Sequence, residues 1–425
     1  MSSFSADVFQ NEYLPIGGSE VNAVVTVTAG AGAPVAEGAR SAEIVIVDTS
    51  GSMKGPRQKM EAAKTATAAA IECTRDGTLF GVIAGSDRVD TIYPLDGTLA
   101  VSSAQTREDA CRAVARLKPD GGTRIGWWLE RAREMFEAAP GAIRHAILLT
   151  DGQDQHETRE ELERVLLECE GVFQCDCRGV GADWEVEELR RISSVLLGTV
   201  DIVAEPEDLE EDFLEMMQSA MGKAVGDVSL RVWTPQGASV AFIKQVSPTI
   251  EDLTDRARAT SELVASYPTG AWGEESRDYH LCIRVQPHEV GEEMLAGRVS
   301  LIVDGQEVSQ ALVKAIWTDD EQLSTRINRQ VAHYTGQAEL AEAIQEGLRA
   351  RKEGDAGSAA ARLGRAVQLA AAAGNDDTMK LLEGVVEVED PATGAVRLKD
   401  SVREVQEMAL DTRSTKTVRV QGDPS

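Results

Sequence analysis

Three short stretches of this chain place oxygen-bearing side chains where a hard cation could be held. Asp48-Thr49-Ser50-Gly51-Ser52 stands directly behind Ile44-Val45-Ile46-Val47. Four β-branched residues ending in Asp-x-Ser-x-Ser read as a buried strand that delivers a carboxylate and two hydroxyls at its carboxyl end. Alternate residues of a short turn point the same way, so Asp48, Ser50 and Ser52 can converge on one point. Such donors suit a hard divalent cation such as Mg²⁺ and, with no His or Cys in the loop, not a soft metal. An ordinary strand-to-helix turn with a serine cap would use the same residues. Two later stretches favour the metal: Gly121-Gly122-Thr123 presents a third hydroxyl, and Ala146 to Leu149 leads into Thr150-Asp151-Gly152.

These pieces, in this order, resemble the von Willebrand factor A domain over roughly residues 41–220. The resemblance is to proteins of bacterial type, and it implies an intact metal-ion-dependent adhesion site at Asp48, Ser50, Ser52, Thr123 and Asp151. It further implies that the hydroxyls approach Mg²⁺ (Mn²⁺ or Ca²⁺ as alternatives) while the aspartates often act through water. A coordination position stays open for an Asp or Glu side chain of a protein partner. Such a site is an adhesive joint rather than a catalyst.

The intervening segments must position these groups, and they read as alternating strands and helices. Residues 59–73 are Ala-rich with good helix formers. Residues 79–83 are apolar and 89–95 alternate, which suggests paired strands. Thr106 opens a helix as a cap, and Thr158-Arg159-Glu160-Glu161 opens another with a capping-box pattern. Helices are further expected over 125–138, 186–195 and 206–221, with strands over 172–180 and 199–203. The expected fold class is therefore α/β: a doubly wound, mostly parallel sheet with the site at the strands' carboxyl ends.

Outside this domain the pattern changes. Residues 21–28, 228–232, 239–243, 278–285, 297–303 and 310–317 alternate in strand fashion, which predicts an antiparallel β-sandwich. The strands of residues 1–40 are expected to join the sandwich of residues 223–318, with the domain of residues 41–222 inserted between them. From 319 to 383 the chain reads as an α-helical hairpin, similar to the tetratricopeptide sort and to the helical extension of bacterial A-domain proteins. Residues 384–425 read as a β-hairpin turning at Pro391-Ala392-Thr393-Gly394, followed by a flexible tail.

The tail ends in a basic, hydroxyl-rich stretch. Thr415 and Thr417 each have a valine three residues on, Val418 and Val420. The spacing resembles ligands of forkhead-associated domains, which makes these threonines candidate targets of a Ser/Thr kinase.

With 43 basic against 71 acidic residues the chain carries a formal net charge of −28, which argues against nucleic acid and anionic membranes as partners. No basic segment followed by an apolar core opens the sequence, and no apolar run approaches the roughly 20 residues of a membrane span. A cytoplasmic location is expected, with the six cysteines reduced. His156-Glu157 begins like a zincin helix but no second His follows at the required spacing. There is no phosphate-binding glycine loop and no Gly-x-Ser-x-Gly elbow. The sequence predicts a binding module, not an enzyme. One reading is a signalling adaptor that captures an acidic residue of its partner through Mg²⁺. The alternative is a substrate-adaptor subunit for a separate AAA+ ATPase, in a chaperone or metal-insertion complex.

Overall fold

A computed structural model of the chain describes residues 4–30, 40–55, 58–153 and 156–419. The chain divides into two units, Val35–Gly226 and a second made of Met1–Pro34 with Asp227–Ser425.

The first unit is built on a seven-stranded sheet. Its spatial order runs Val200–Val203, Gln174–Val180, Ile143–Thr150, Ser41–Asp48, Leu79–Gly85, Val89–Tyr93, and Ala100–Val101 also pairs with Leu79–Gly85. The first five strands are parallel, and the last two pair antiparallel. Ser41–Asp48 lies at the centre with both faces covered, which is why Ile44 to Val47 are all apolar. On one face Val45, Val47, Ile147 and Leu149 pack against Ala63, Ala66 and Ala70 of the helix Gln58–Cys73 and Phe213 and Met217 of the helix Leu209–Met221. Toward the helix Ile125–Phe136, Gly85 is so close that a Cβ would lie 2.3 Å from the Trp128 ring.

Two local readings are corrected here. The helix Ala104–Val114 is capped by Ser103, with Thr106 inside its first turn as the reciprocal member of the capping box. Pro206–Asp208 is a separate 3₁₀ turn ahead of Leu209–Met221.

The second unit holds the sandwich. One sheet orders Phe4–Gln10, Glu20–Ala29, Glu275–Arg284, Ser239–Ser247 and Glu251–Asp252. The other orders Arg258–Ser261, Val264–Trp272, Val225–Trp233, Glu293–Val303, Gln306–Thr318 and Tyr13–Pro15, the last pairing parallel. Phe4–Gln10 and Glu20–Ala29 thus belong to the sheet completed by Glu275–Arg284, and Tyr13–Pro15 to the other sheet, with the first unit inserted in the chain between these strands and the rest of the sandwich. Of the expected 1–40 segment, residues 1–3 and 31–39 lie outside the described residues.

Beyond the sandwich come the helices Arg329–Lys352, Ala356–Ala373 and Asp376–Val385, then the hairpin Val386–Asp390 with Ala395–Leu398. Close packing here depends on small residues. A Cβ at Gly347 would meet Leu363 at 2.7 Å, and one at Gly364 would meet the Gly394 carbonyl at 2.3 Å. The expectation of a flexible tail after the hairpin is corrected. Glu404–Arg413 is a helix that buries Met408, Leu410 and Thr412, and residues 414–419 continue as an ordered strap on the sandwich. The strap holds because its basic end meets a buried acid: Arg419 donates twice to Asp278, which is 2% exposed. Residues 420–425, Val420 among them, lie outside the described residues. Among the described residues no helix is long and apolar enough to cross a membrane.

Candidate metal-adhesion site

Three loops are stitched together at the carboxyl ends of the central strands. Thr49 N–H donates to the Gly85 carbonyl at 2.7 Å, Gly51 N–H to Gly121 at 2.8 Å, and Asp120 N–H to Thr49 at 2.7 Å. Gly121 has φ +83°, the left-handed turn that lets this loop double back toward Gly51.

Within this frame the five oxygen residues converge. Asp48 is fully buried and anchored: its Oδ1 accepts from Ser50 N–H at 2.7 Å and its Oδ2 from the Thr150 hydroxyl at 2.6 Å. The Ser50 and Ser52 hydroxyls lie 2.8 Å apart, and Ser52 Oγ donates to Asp151 Oδ1 at 2.6 Å. Thr123 completes the set across Gly152, where a Cβ would stand 3.3 Å from both Ser52 Oγ and Thr123 Oγ1. Glycine at 152 therefore leaves room between those two hydroxyls that any side chain would narrow.

The electrostatics are those of a site short of positive charge. Burial pushes the Asp48 carboxyl up to about 6, against the hydrogen bonds from Ser50 and Thr150, and the nearby Asp151 adds to the rise. Two buried carboxylates and three hydroxyls form an all-oxygen donor set that fits a hard divalent ion. Among the described residues no cluster of His, Cys, Asp and Glu offers a softer alternative.

Sequence reasoning missed Lys59, whose ammonium sits 2.9 Å from Asp151 Oδ2 and 3.2 Å from Asp183 Oδ2. Its partner stands 92 residues away in the chain, and nothing in the helical pattern of 58–73 marks it. The rim of the site was also unforeseen. The Arg124 guanidinium stacks 3.8 Å over the half-exposed Trp127 ring. His156 packs over Gly122, and Glu157 accepts from Gly126 N–H at 2.8 Å. The Glu of the apparent zincin start thus serves the first turn of a neighbouring helix.

Thr415 and Thr417 belong to the other unit. Ile250 N–H donates to the Thr415 carbonyl at 2.8 Å, and Thr417 N–H donates to Pro248 at 3.0 Å. The Thr417 hydroxyl donates to the Val246 carbonyl at 2.7 Å and stands 3.1 Å from that of Pro248.

Comparison with known proteins bears on the family and the fold. Residues 44–153 match the model of the von Willebrand factor type A domain, and residues 368–414 match that of the von Willebrand factor type A C-terminal domain. The chain is similar to a solved structure described as von Willebrand factor type A from Catenulispora acidiphila. The two share 49% identity over 99% of this chain and 98% of that one, with a TM-score of 0.93. The ArnB paralog VWA2 from Sulfolobus acidocaldarius shares the fold, at TM-score 0.61 and 13% identity over 97% of this chain and 98% of that one. Von Willebrand factor A domain-containing protein 5A of Rattus norvegicus is 25% identical over 217 residues, 49% of this chain. The match spans a quarter of that protein's length.

Proposed function

Because the chain belongs to the von Willebrand factor type A family, we propose that it is a non-enzymatic interaction adaptor whose adhesion site binds an acidic residue of a protein partner through a divalent metal. The observation that carries this reading is the convergence of Asp48, Ser50, Ser52, Thr123 and Asp151 at the carboxyl ends of the central strands. Asp48 and Asp151 would supply the charge, and the three hydroxyls the neutral oxygens. The metal, when bound, offers an open coordination position to a carboxylate. Mg²⁺ suits the donor set by its hardness, and a cytoplasmic setting supplies it.

The tail adds a second contact in this proposal. Phosphorylation of Thr417 would require the strap to leave the sandwich, because its hydroxyl donates to a backbone carbonyl that a phosphate could only repel. The freed segment would then be open to a forkhead-associated reader.

The test is affinity capture with the full chain in Mg²⁺, in EDTA, and with Asp48→Ala as bait in Mg²⁺. A partner held only by the parent in Mg²⁺ is the expected result. Partners indifferent to both chelation and mutation would move the function away from this site.

A further inference from the structure

The adhesion-site reading leaves one charged group without a role. Lys59 lies in the first turn of the helix Gln58–Cys73 and passes beside Gly181, where a Cβ would come within 3.5 Å of its Cε. The side chains of Lys59 and Asp151 are 8% and 0% exposed, whereas that of Asp183 is 73% exposed. Water therefore screens most of the charge of Asp183, while Lys59 and Asp151 face one another in a low-dielectric setting. The two oxygens of Asp151 have separate partners: Oδ1 meets the Ser52 hydroxyl and Oδ2 meets the ammonium.

We propose that Lys59 is a built-in counter-cation of the adhesion site, one that weakens its hold on the divalent metal and leaves the loaded site positively charged toward a partner's anionic group. This rests on the metal-site reading given above. Asp48 and Asp151 together offset a divalent cation, so without Lys59 the loaded site is formally neutral. With Lys59 it carries one net positive charge. On a chain with a formal net charge of −28, that local charge favours an incoming carboxylate where the overall field opposes it. In the metal-free protein the same ammonium offsets one of two neighbouring buried carboxylates, so the loops can hold their arrangement before metal arrives.

The probe is Mn²⁺ titrated into the full chain, read from the paramagnetic resonance signal of the free ion. Lys59→Met is expected to bind Mn²⁺ about tenfold or more tightly than the parent, since a buried like charge is removed. Lys59→Arg, which keeps the charge, is expected to stay within about threefold of the parent. Asp183→Asn is expected to bind more weakly, because Lys59 then turns wholly to Asp151. Parental affinity in a folded Lys59→Met overturns the proposal while leaving the metal site intact. Should that variant fail to fold, an Asp183→Asn protein that binds as well as the parent overturns it instead. A parent that retains no more Mn²⁺ than Asp48→Ala overturns the metal-site reading, and this proposal with it.

Discussion

Glu43 and His145, 102 residues apart in the chain, meet at 2.8 Å between Oε2 and Nδ1 inside the central sheet. The other ring nitrogen, Nε2, lies 2.9 Å from Asp176 Oδ2, whose Oδ1 accepts from both the backbone and the hydroxyl of Thr199. The remaining Glu43 oxygen is buried with no hydrogen-bond partner among the described residues. Burial alone would drive the imidazolium toward neutrality, yet the charges and hydrogen bonds of Glu43 and Asp176 prevail and hold His145 up at about 10. Burial raises the Glu43 carboxyl, and His145 opposes that rise only in part. Asp176 goes the other way: burial would raise it, but its bonds to His145 and Thr199 hold it well below the ordinary carboxylate range.

The sign of the pH effect follows. A His held above its ordinary 6.5 contributes stability in full below that value and loses it as pH rises through about 10. Asp176 contributes above its ordinary 3.8 and loses that on acidification. Urea midpoints are expected to fall between about pH 7 and about pH 10.5, and the fall should shrink in His145→Gln. An equal alkaline loss in the variant would place the titrating group elsewhere. His145→Ala, which strands the buried Glu43 carboxylate and takes the imidazole from the partly exposed Asp176, is expected to cost about 3–5 kcal/mol at neutral pH.

Asp48→Ala and Thr123→Ala should each remove the Mg²⁺-induced rise in melting temperature. Far-ultraviolet dichroism should stay that of the parent. For the parent, Mg²⁺ at about 100 times its dissociation constant should add about 2.7 kcal/mol of stability. A variant that keeps the full metal-induced rise would exclude its residue from the ligand set.

Asp151→Ala is expected to behave differently from Asp48→Ala in the absence of metal. It leaves the Lys59 ammonium buried with only the exposed Asp183 as partner, at a cost of about 1–3 kcal/mol. Relief of the repulsion between Asp48 and Asp151 returns only part of this. Chemical denaturation of the metal-free proteins decides the matter; a variant more stable than the parent would show that the repulsion dominates.

Thr417→Glu should loosen the strap. The substitution removes the donor to the Val246 carbonyl and sets a carboxylate beside it. Limited proteolysis between residues 414 and 419 should be faster by at least about fivefold, equivalent to roughly 1 kcal/mol of local stability. Arg419→Ala should do the same, since it removes the two bonds that tie the strap to Asp278 and leaves that carboxylate to Tyr334 at 2.5 Å and Thr26 at 2.6 Å. Parental cleavage rates in both variants would mean that helix Glu404–Arg413 alone fixes the end of the chain.

What the sequence revealed and what it hid have a common physical cause. The Ile44-to-Val47 run ending in Asp48 is a local pattern, because a strand buried on both faces must be apolar throughout. The neighbourhood of Asp48, Ser50, Ser52, Thr123 and Asp151 was legible because glycines and hydroxyls gather in three short loops. Lys59, Glu43 and His145 were not, since their partners stand 92 and 102 residues away in the chain and no spacing encodes that pairing. His145 is buried in an ionic triad with Glu43 and Asp176. The helix Asp376–Val385 lies mostly within the stretch read as helical, but it runs two residues past the expected boundary at 383, and the strand starts at Val386 rather than Gly384. Glu404–Arg413 was missed because it buries few apolar residues and depends instead on pairs such as Arg351 with Glu407 at 2.6 Å.

The insertion of one unit within the chain of the other also sets a schedule. Glu20–Ala29 pairs on one side with Phe4–Gln10, but its other side waits for Glu275–Arg284, made roughly 250 residues later. At typical synthesis rates that interval is on the order of ten to fifty seconds. Through it a hairpin rich in valine presents an open strand edge, the kind of surface that recruits neighbouring chains. All the strands of the central sheet lie between Ser41 and Val203, so that sheet can close while the hairpin still lacks its partner. A strand pair made before the central sheet is thus completed only after that sheet has been synthesised.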